Sequence, residues 1–286
     1  IPAEARTKIL DHLAHEVPVG SWNSEDRHTV WAALTQQIDH QQHYADATWA
    51  MTDQEIAHMR EIAQALEDPS DPRRYSYLFQ WEWDILIDGR RYNDDGFDES
   101  ADRARRDAIK NVAEIGIDAV RSLAKDVERP DLVGTYLAVT GTLDDASVVG
   151  WIDEESEALQ RAAAFYARNR LDIDGFAWLK KILSTGDMSS VGKQRLLAIA
   201  PMAKEYWTQV SLGDDAVAAY WAFASCLSVP DEEQAEAVAL LVEHGHPWRA
   251  LELLSHMLSR QSQCESTLVK QVLYSLLIAG LDPAAQ

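Results

Sequence analysis

Cysteine is nearly absent from this chain: there are two in 286 residues, Cys226 and Cys264. Two cannot staple a disulfide framework. Both lie among apolar helical residues, where a free cysteine acts as a small core hydrophobe. That usage points to a reducing, cytoplasmic compartment. Cations are scarce as well. Lys and Arg total 26 against 47 Asp and Glu, a formal net charge of −21. Nucleic-acid binding is driven by cations that release condensed counterions, so no nucleic acid is expected as a partner. The same charge disfavours an anionic membrane surface. Long apolar runs are missing: no stretch approaches the roughly 18 residues of a membrane span, so no membrane partner is expected either. The opening residues, Ile1-Pro2-Ala3-Glu4, carry neither a basic n-region nor an apolar h-region, so they are not a signal peptide. With no initiator Met, the chain reads as a piece cut from a longer protein, a processed chain being the alternative.

Signatures of chemistry are also lacking. Gly141-Thr142-Leu143-Asp144-Asp145 does not form the G-x-x-x-x-G-K-[ST] phosphate cradle, and there is no G-x-S-x-G elbow. Two acidic loops invite a calcium reading, but Arg91 and Arg170 stand where an EF-hand needs its first carboxylate, and Lys181 where it needs its last. Three histidine pairs stand out: His12 with His15, His40 with His43, and His244 with His246. Zinc needs three or four ligands, and neither H-E-x-x-H nor C-x-x-C occurs, so no metal and no cofactor are expected. Glu154, Glu155 and Glu157 fall at a polar helix start, where the dipole favours carboxylates.

What is present is helical periodicity. Apolar residues recur in steps of three and four at Ile9, Leu10, Leu13 and Val17, then at Val30, Trp31, Leu34 and Ile38. Thr52-Asp53-Gln54-Glu55 is a capping box opening a helix that buries Ile56, Met59, Ile62 and Leu66. Residues 80–99 break the rhythm and read as an extended connector with a turn at Asn93-Asp94-Asp95-Gly96, a short strand being the alternative. Helices resume near Asp98 or Ser100, with faces at Ile109, Val112 and Ile115, then Val120, Leu123 and Val127, then Leu132, Val133, Tyr136 and Leu137.

From about residue 153, start signals follow at Asp174, Ser189, Pro201, Asp214, Pro230-Asp231, Pro247 and Ser266. They divide the chain into two-helix units near 153–184, 189–211, 214–244 and 247–279. The fold class this implies is all-α, with stacked antiparallel helical hairpins in an α-solenoid-like (TPR/HEAT-like) superhelix. Residues 1–286 read as one helical-repeat domain, subdivided into N-terminal helices 1–86 and a hairpin array 98–286. No β pattern is present that would support a Rossmann or TIM architecture.

Two groups of residues are candidate binding sites. Of ten tryptophans, Trp31, Trp207 and Trp221 share helical spacing with aliphatics and are read as core, whereas Trp81 and Trp83 share one side of an extended segment and suit an exposed contact. A basic cluster, Arg73, Arg74, Arg90, Arg91, Arg103, Arg105, Arg106 and Lys110, falls in a chain otherwise short of cations. Within it Arg90, Arg91, Arg103, Arg105 and Arg106 are the candidates for an anion or partner site. Asp94, Asp95, Asp98, Glu99 and Asp102 are interleaved with them and offer local pairing instead.

Tyr206-Trp207-Thr208-Gln209-Val210, Leu212-Gly213-Asp214-Asp215, Tyr220-Trp221 and the stretch Ala239 to Leu251 resemble the helical-repeat regions of large multidomain bacterial proteins. The stretches Arg74 to Phe79 and Ala119 to Leu137, and residues Leu34, Ile38, His40, Asp46 and Trp49-Ala50, are similar to the same family's upstream pattern. His246 stands where that pattern has an arginine before Pro247. The resemblance implies a fragment of a longer protein and transfers no active-site residue. The function expected is a non-catalytic scaffold or sensor contacting proteins or other domains of its parent chain. An enzyme with a His/carboxylate pocket between helices, and a purely structural spacer, are the alternatives.

Overall fold

The computed structural model describes residues 3–19, 22–81, 85–185, 188–208, 214–226, 229–260 and 265–279, without the side chains of 3, 18, 19, 214–218 and 279. The fold is all-α. Among the described residues, β-type pairing is confined to two isolated bridges, Ile87 with Arg90 and Pro201 with Ser225. No described helix is long and apolar enough to cross a membrane. The chain divides into two compact units, Ile1–Leu143 and Asp144–Gln286. The 85–96 connector therefore lies inside the first unit.

Unit 1 begins with α1 (Ala3–Val19), α2 (Ser24–His43) and α3 (Asp53–Leu66). Asn23 caps α2, its side chain accepting from the Asp26 amide. The capping box forms as the sequence predicts: the Glu55 amide donates to Thr52 Oγ1, and the Thr52 amide donates to Glu55 at 2.8 Å. Ile56, Met59, Ile62 and Leu66 are buried with Leu10, Leu34 and Ile38 in one core. The hydrogen bond from the Thr52 amide, above all, holds the Glu55 carboxyl below its ordinary value. A carboxyl depressed by folding adds stability above its unfolded pKa and loses it as pH falls through the folded one. We therefore expect Thr52→Ala to cost about 1 kcal/mol in urea unfolding near neutral pH. Glu55→Gln should be less stable than wild type at neutral pH, and that gap should close in acid.

A 3₁₀ helix, Pro72–Phe79, follows, capped by Asp71. Arg73 pairs with the capping Asp71 and ties this helix to the start of α2 through Glu25 and Ser24. Then come α4 (Phe97–Ile115), α5 (Ile117–Asp126) and α6 (Pro130–Thr140). These pack on one another and on the 3₁₀ helix, around Phe79, Ile109, Val112, Val120, Leu123, Val133 and Leu137.

Unit 2 holds α7 (Asp145–Val149), a 3₁₀ turn at Gly150–Asp153, α8 (Glu157–Ser184), α9 (Ser190–Ile199) and α10 (Lys204–Trp207). It continues with α11 (Asp214–Phe223), α12 (Gln234–Glu243), α13 (Pro247–Ser259) and α14 (Ser266–Ala279). Start signals at Ser189, Asp214, Pro247 and Ser266 each coincide with a helix start. The break expected at Asp174 is a kink inside α8, at Gly175. Its φ of 64° and ψ of −156° suit a residue without a Cβ. The packing follows the hairpin units only in part: α13 packs on α14 within 247–279, but other pairings cross the unit bounds. Among the described residues α11 packs on α9, and α12 packs on α13 and α14. Spacing alone sets where helices start, whereas which helices pair depends on tertiary burial.

Candidate binding sites

Helix α2 separates two concave sites in unit 1. On one side it contributes Val30, Ala33, Leu34, Gln37 and Gln41 to an open cleft, and on the other Trp31, Ala32, Thr35, Gln36, Asp39 and His40 to a smaller cavity. Steps of three and four along the helix keep the two sets on two faces.

The cleft measures about 830 Å³. Ile9, Leu10 and Leu13 of α1, Val30 and Leu34 of α2, and Met59 of α3 line it. The loop between α2 and α3 closes one end. Buried Gln41 accepts from the Met51 amide at 2.7 Å, which pins that loop to α2 and fixes Trp49 at the rim. Trp49 is 50% exposed and Ile9 51%. The apolar stripes of α1 and α2 therefore line an open groove as well as a core.

The cavity measures about 240 Å³. Ser76, Tyr77 and Gln80, from the 3₁₀ helix and the residue after it, form a second wall, and Ile85, Leu86 and Arg91 of the connector a third. The connector turns at Asp88-Gly89, both with positive φ (51° and 72°), as a two-residue hairpin turn of this composition requires. Ile87 and Arg90 exchange two backbone hydrogen bonds across it. His43 Nδ1 lies 3.3 Å from the Gly89 carbonyl oxygen. This arrangement sets the Arg91 guanidinium over the Tyr44 ring, 5.1 Å from its centroid. His40 is held between Tyr44 and Trp49, stacked on the latter at 5.5 Å, and its Nδ1 is buried with no hydrogen-bond partner among the described residues. Asp39 is half-buried, and desolvation pushes its carboxyl above the ordinary value, with Arg60 opposing.

The basic cluster resolves into separate environments. Arg103 pairs with Asp88 at 2.9 Å, Arg106 with Asp102 at 2.8 Å, Arg74 with Glu67 at 2.7 Å and Lys110 with Asp107 at 3.8 Å. Arg90 reaches Ser100 Oγ at 3.4 Å. Arg105 is not on the surface: it is 4% exposed, and its Nε donates to the Leu78 carbonyl at 2.8 Å. Nearby carboxylates thus neutralise several members of the cluster, but of the interleaved acids it is Asp102 that pairs in this way, with Arg106, whereas Arg74, Arg103 and Lys110 take Glu67, Asp88 and Asp107. Arg91 lines the cavity beside α2. Trp81 is 40% exposed and lies beneath the Arg129 guanidinium at 4.5 Å. Trp83 and Cys264 lie outside the described residues, while Cys226 is buried, as its apolar setting suggests. Trp221 is core, whereas Trp31 and Trp207 are half-buried.

The histidine pairs sit on separate elements. His12 and His15 are exposed on α1, and His40 and His43 belong to the aromatic cluster. In unit 2, His244 stacks on Trp221 at 4.8 Å, and His246 precedes α13. No group of three or more metal-ligating side chains occurs among the described residues. The sequence singled out His40 and Arg91 separately, but not Asp39, whose partners in the cavity come from segments distant along the chain. No known protein family, curated protein or solved structure matches this chain.

Proposed function

We propose that this chain is a non-catalytic helical interaction module that receives an amphipathic helix, basic on its polar face, in the cleft of unit 1. The observation that carries this reading is the 830 Å³ groove with apolar walls from three helices. Grooves of this kind recognise helices through anchors at i, i+3, i+4 and i+7. Contiguous exposed apolar surface of this sort marks interaction sites rather than plain spacers. The basic preference follows from charge: unit 1 carries 27 Asp and Glu against 15 Lys and Arg, and complementary fields favour a cationic partner. The run of short helices from α9 to α14 supports a helical-repeat scaffold of the kind the sequence resemblance implies.

Calorimetric titration with a synthetic amphipathic Leu/Lys helix tests this. Binding is expected, and should weaken at least about tenfold when the peptide leucines become alanine or when Val30→Glu places a charge in the cleft. Equal binding of the alanine peptide would reduce the interaction to charge alone and overturn the proposal. So would undiminished binding by a folded Val30→Glu variant.

A further inference from the structure

We propose that the cavity on the other face of α2 is a binding site for a small zwitterion, a free amino acid with an apolar side chain, its ammonium held by Asp39 and its carboxylate by Arg91. This goes beyond the cleft reading and does not depend on it.

The first observation is charge left unspent. In a chain where acids outnumber bases by 21, a guanidinium normally finds a carboxylate, as Arg73, Arg74, Arg103 and Arg106 do. Arg91 lines the cavity and rests on the Tyr44 ring, with no ion pair among the described residues. Asp39 lines the same cavity half-buried; Arg60 acts on it through space, but it has neither an ion pair nor a hydrogen bond among the described residues. A carboxylate drawn from water without a partner destabilises the fold. Desolvation raises its pKa in keeping with that. One unpaired charge of each sign, in one cavity and not joined to each other, is the complement of a zwitterion.

The second observation is size and lining. A volume of about 240 Å³ lies below the roughly 300–1,000 Å³ of drug-sized pockets, which restricts the occupant to something near a single amino acid. Trp31, Ile85 and Leu86 give an apolar wall for a side chain. The His40 ring, fixed by Tyr44 and Trp49, presents a buried ring nitrogen available for a further hydrogen bond. The remaining polar lining consists of uncharged amides and hydroxyls, Thr35, Gln36, Ser76 and Gln80 among them. These discriminate against a second net charge on the ligand.

The test is a thermal-shift and calorimetric screen of the whole chain with the common L-amino acids. At least one with an apolar side chain should bind. For L-leucine or whichever apolar amino acid binds, the matching amine lacking the carboxylate and the matching acid lacking the ammonium should each bind at least about tenfold more weakly. Asp39→Asn and Arg91→Gln should each weaken it by a similar factor, while Arg106→Ala, in the surface pair with Asp102, should leave it unchanged. Asp39→Asn removes a half-buried unpaired charge and is expected to fold at least as stably as wild type at neutral pH, so its loss of binding reads as loss of a contact. Failure of every amino acid to bind overturns the proposal. Equal binding of the amine or the acid fragment, or undiminished binding by both variants, overturns it too.

Discussion

Arg105→Ala is expected to destabilise the protein by about 3 kcal/mol, while Arg103→Ala and Arg106→Ala each cost less than about 1 kcal/mol. All three arginines lie within four residues of one another on α4, yet they inhabit different physical settings. The Arg103 and Arg106 side chains are 66% and 46% exposed, and they pair with carboxylates that are also in water. Such pairs gain little, because solvent screens the attraction and ordering two long side chains costs entropy. Arg105 is buried, with its Nε on the Leu78 carbonyl. It also contacts the Tyr136 phenol, which burial pushes up and the Arg105 hydrogen bond and charge pull down. Alanine there removes the aliphatic stem from the packing of α4 against the 3₁₀ helix and α6. It also leaves a buried carbonyl without its donor, and each such loss is worth roughly 1–3 kcal/mol. Urea unfolding of the three variants, with unchanged m-values, separates the cases. A fold that tolerates Arg105→Ala as easily as Arg103→Ala would show that the Leu78 contact contributes nothing.

The signal that separates Arg105 from its neighbours was present in the sequence. Arg105 shares a helical face with Ala101, Ala108, Ile109 and Val112, all buried. Sequence proximity groups the arginines, whereas the helical period sets Arg105 apart from Arg103 and Arg106. Local signals were legible wherever one residue type does one job: Thr52 at an N-cap, Pro247 and Ser266 at helix starts, and Asp174 beside the kink at Gly175. Partner choice was not legible, because α11 has apolar surface enough to lie on several neighbours, and only burial in three dimensions places it on α9. The same holds for the cleft. Ile9, Leu10, Leu13, Val30 and Leu34 announce apolar faces, but a stripe reads alike whether the facing helices close on it or leave it open. The cavity was least legible, since Asp39, Tyr77 and Arg91 come from a helix, a 3₁₀ turn and a connector.

Arg249 carries the second large effect. It stands in the first turn of α13, yet it acts at the end of α11. Its Nη1 donates to the Trp221 carbonyl at 2.7 Å, and its Nη2 donates to the Ala224 carbonyl and to Cys226 Sγ at 3.1 Å. The final carbonyls of any helix lack an intrahelical donor, and Ala224 and Cys226 are buried away from water. A guanidinium can serve several of them at once, because its five donors lie in a fixed planar fork, and a cation at a helix C-terminus also meets a favourable dipole. Arg249→Met keeps the stem and removes the donors, so it should cost about 3 kcal/mol. Arg249→Lys should recover less than about half of that, since an ammonium cannot span the same set of acceptors. The second readout is chemical. Burial pushes the Cys226 thiol up, with Arg249 pulling the other way, and buried thiols of this kind react slowly. In a Cys264→Ser background, Arg249→Met should speed the labelling of Cys226 by a thiol reagent well beyond wild type, because loosening the end of α11 exposes the sulfur more often. If stability fell while labelling stayed slow, the side chain would be serving α13 alone, and its role as the remote cap of α11 would fail.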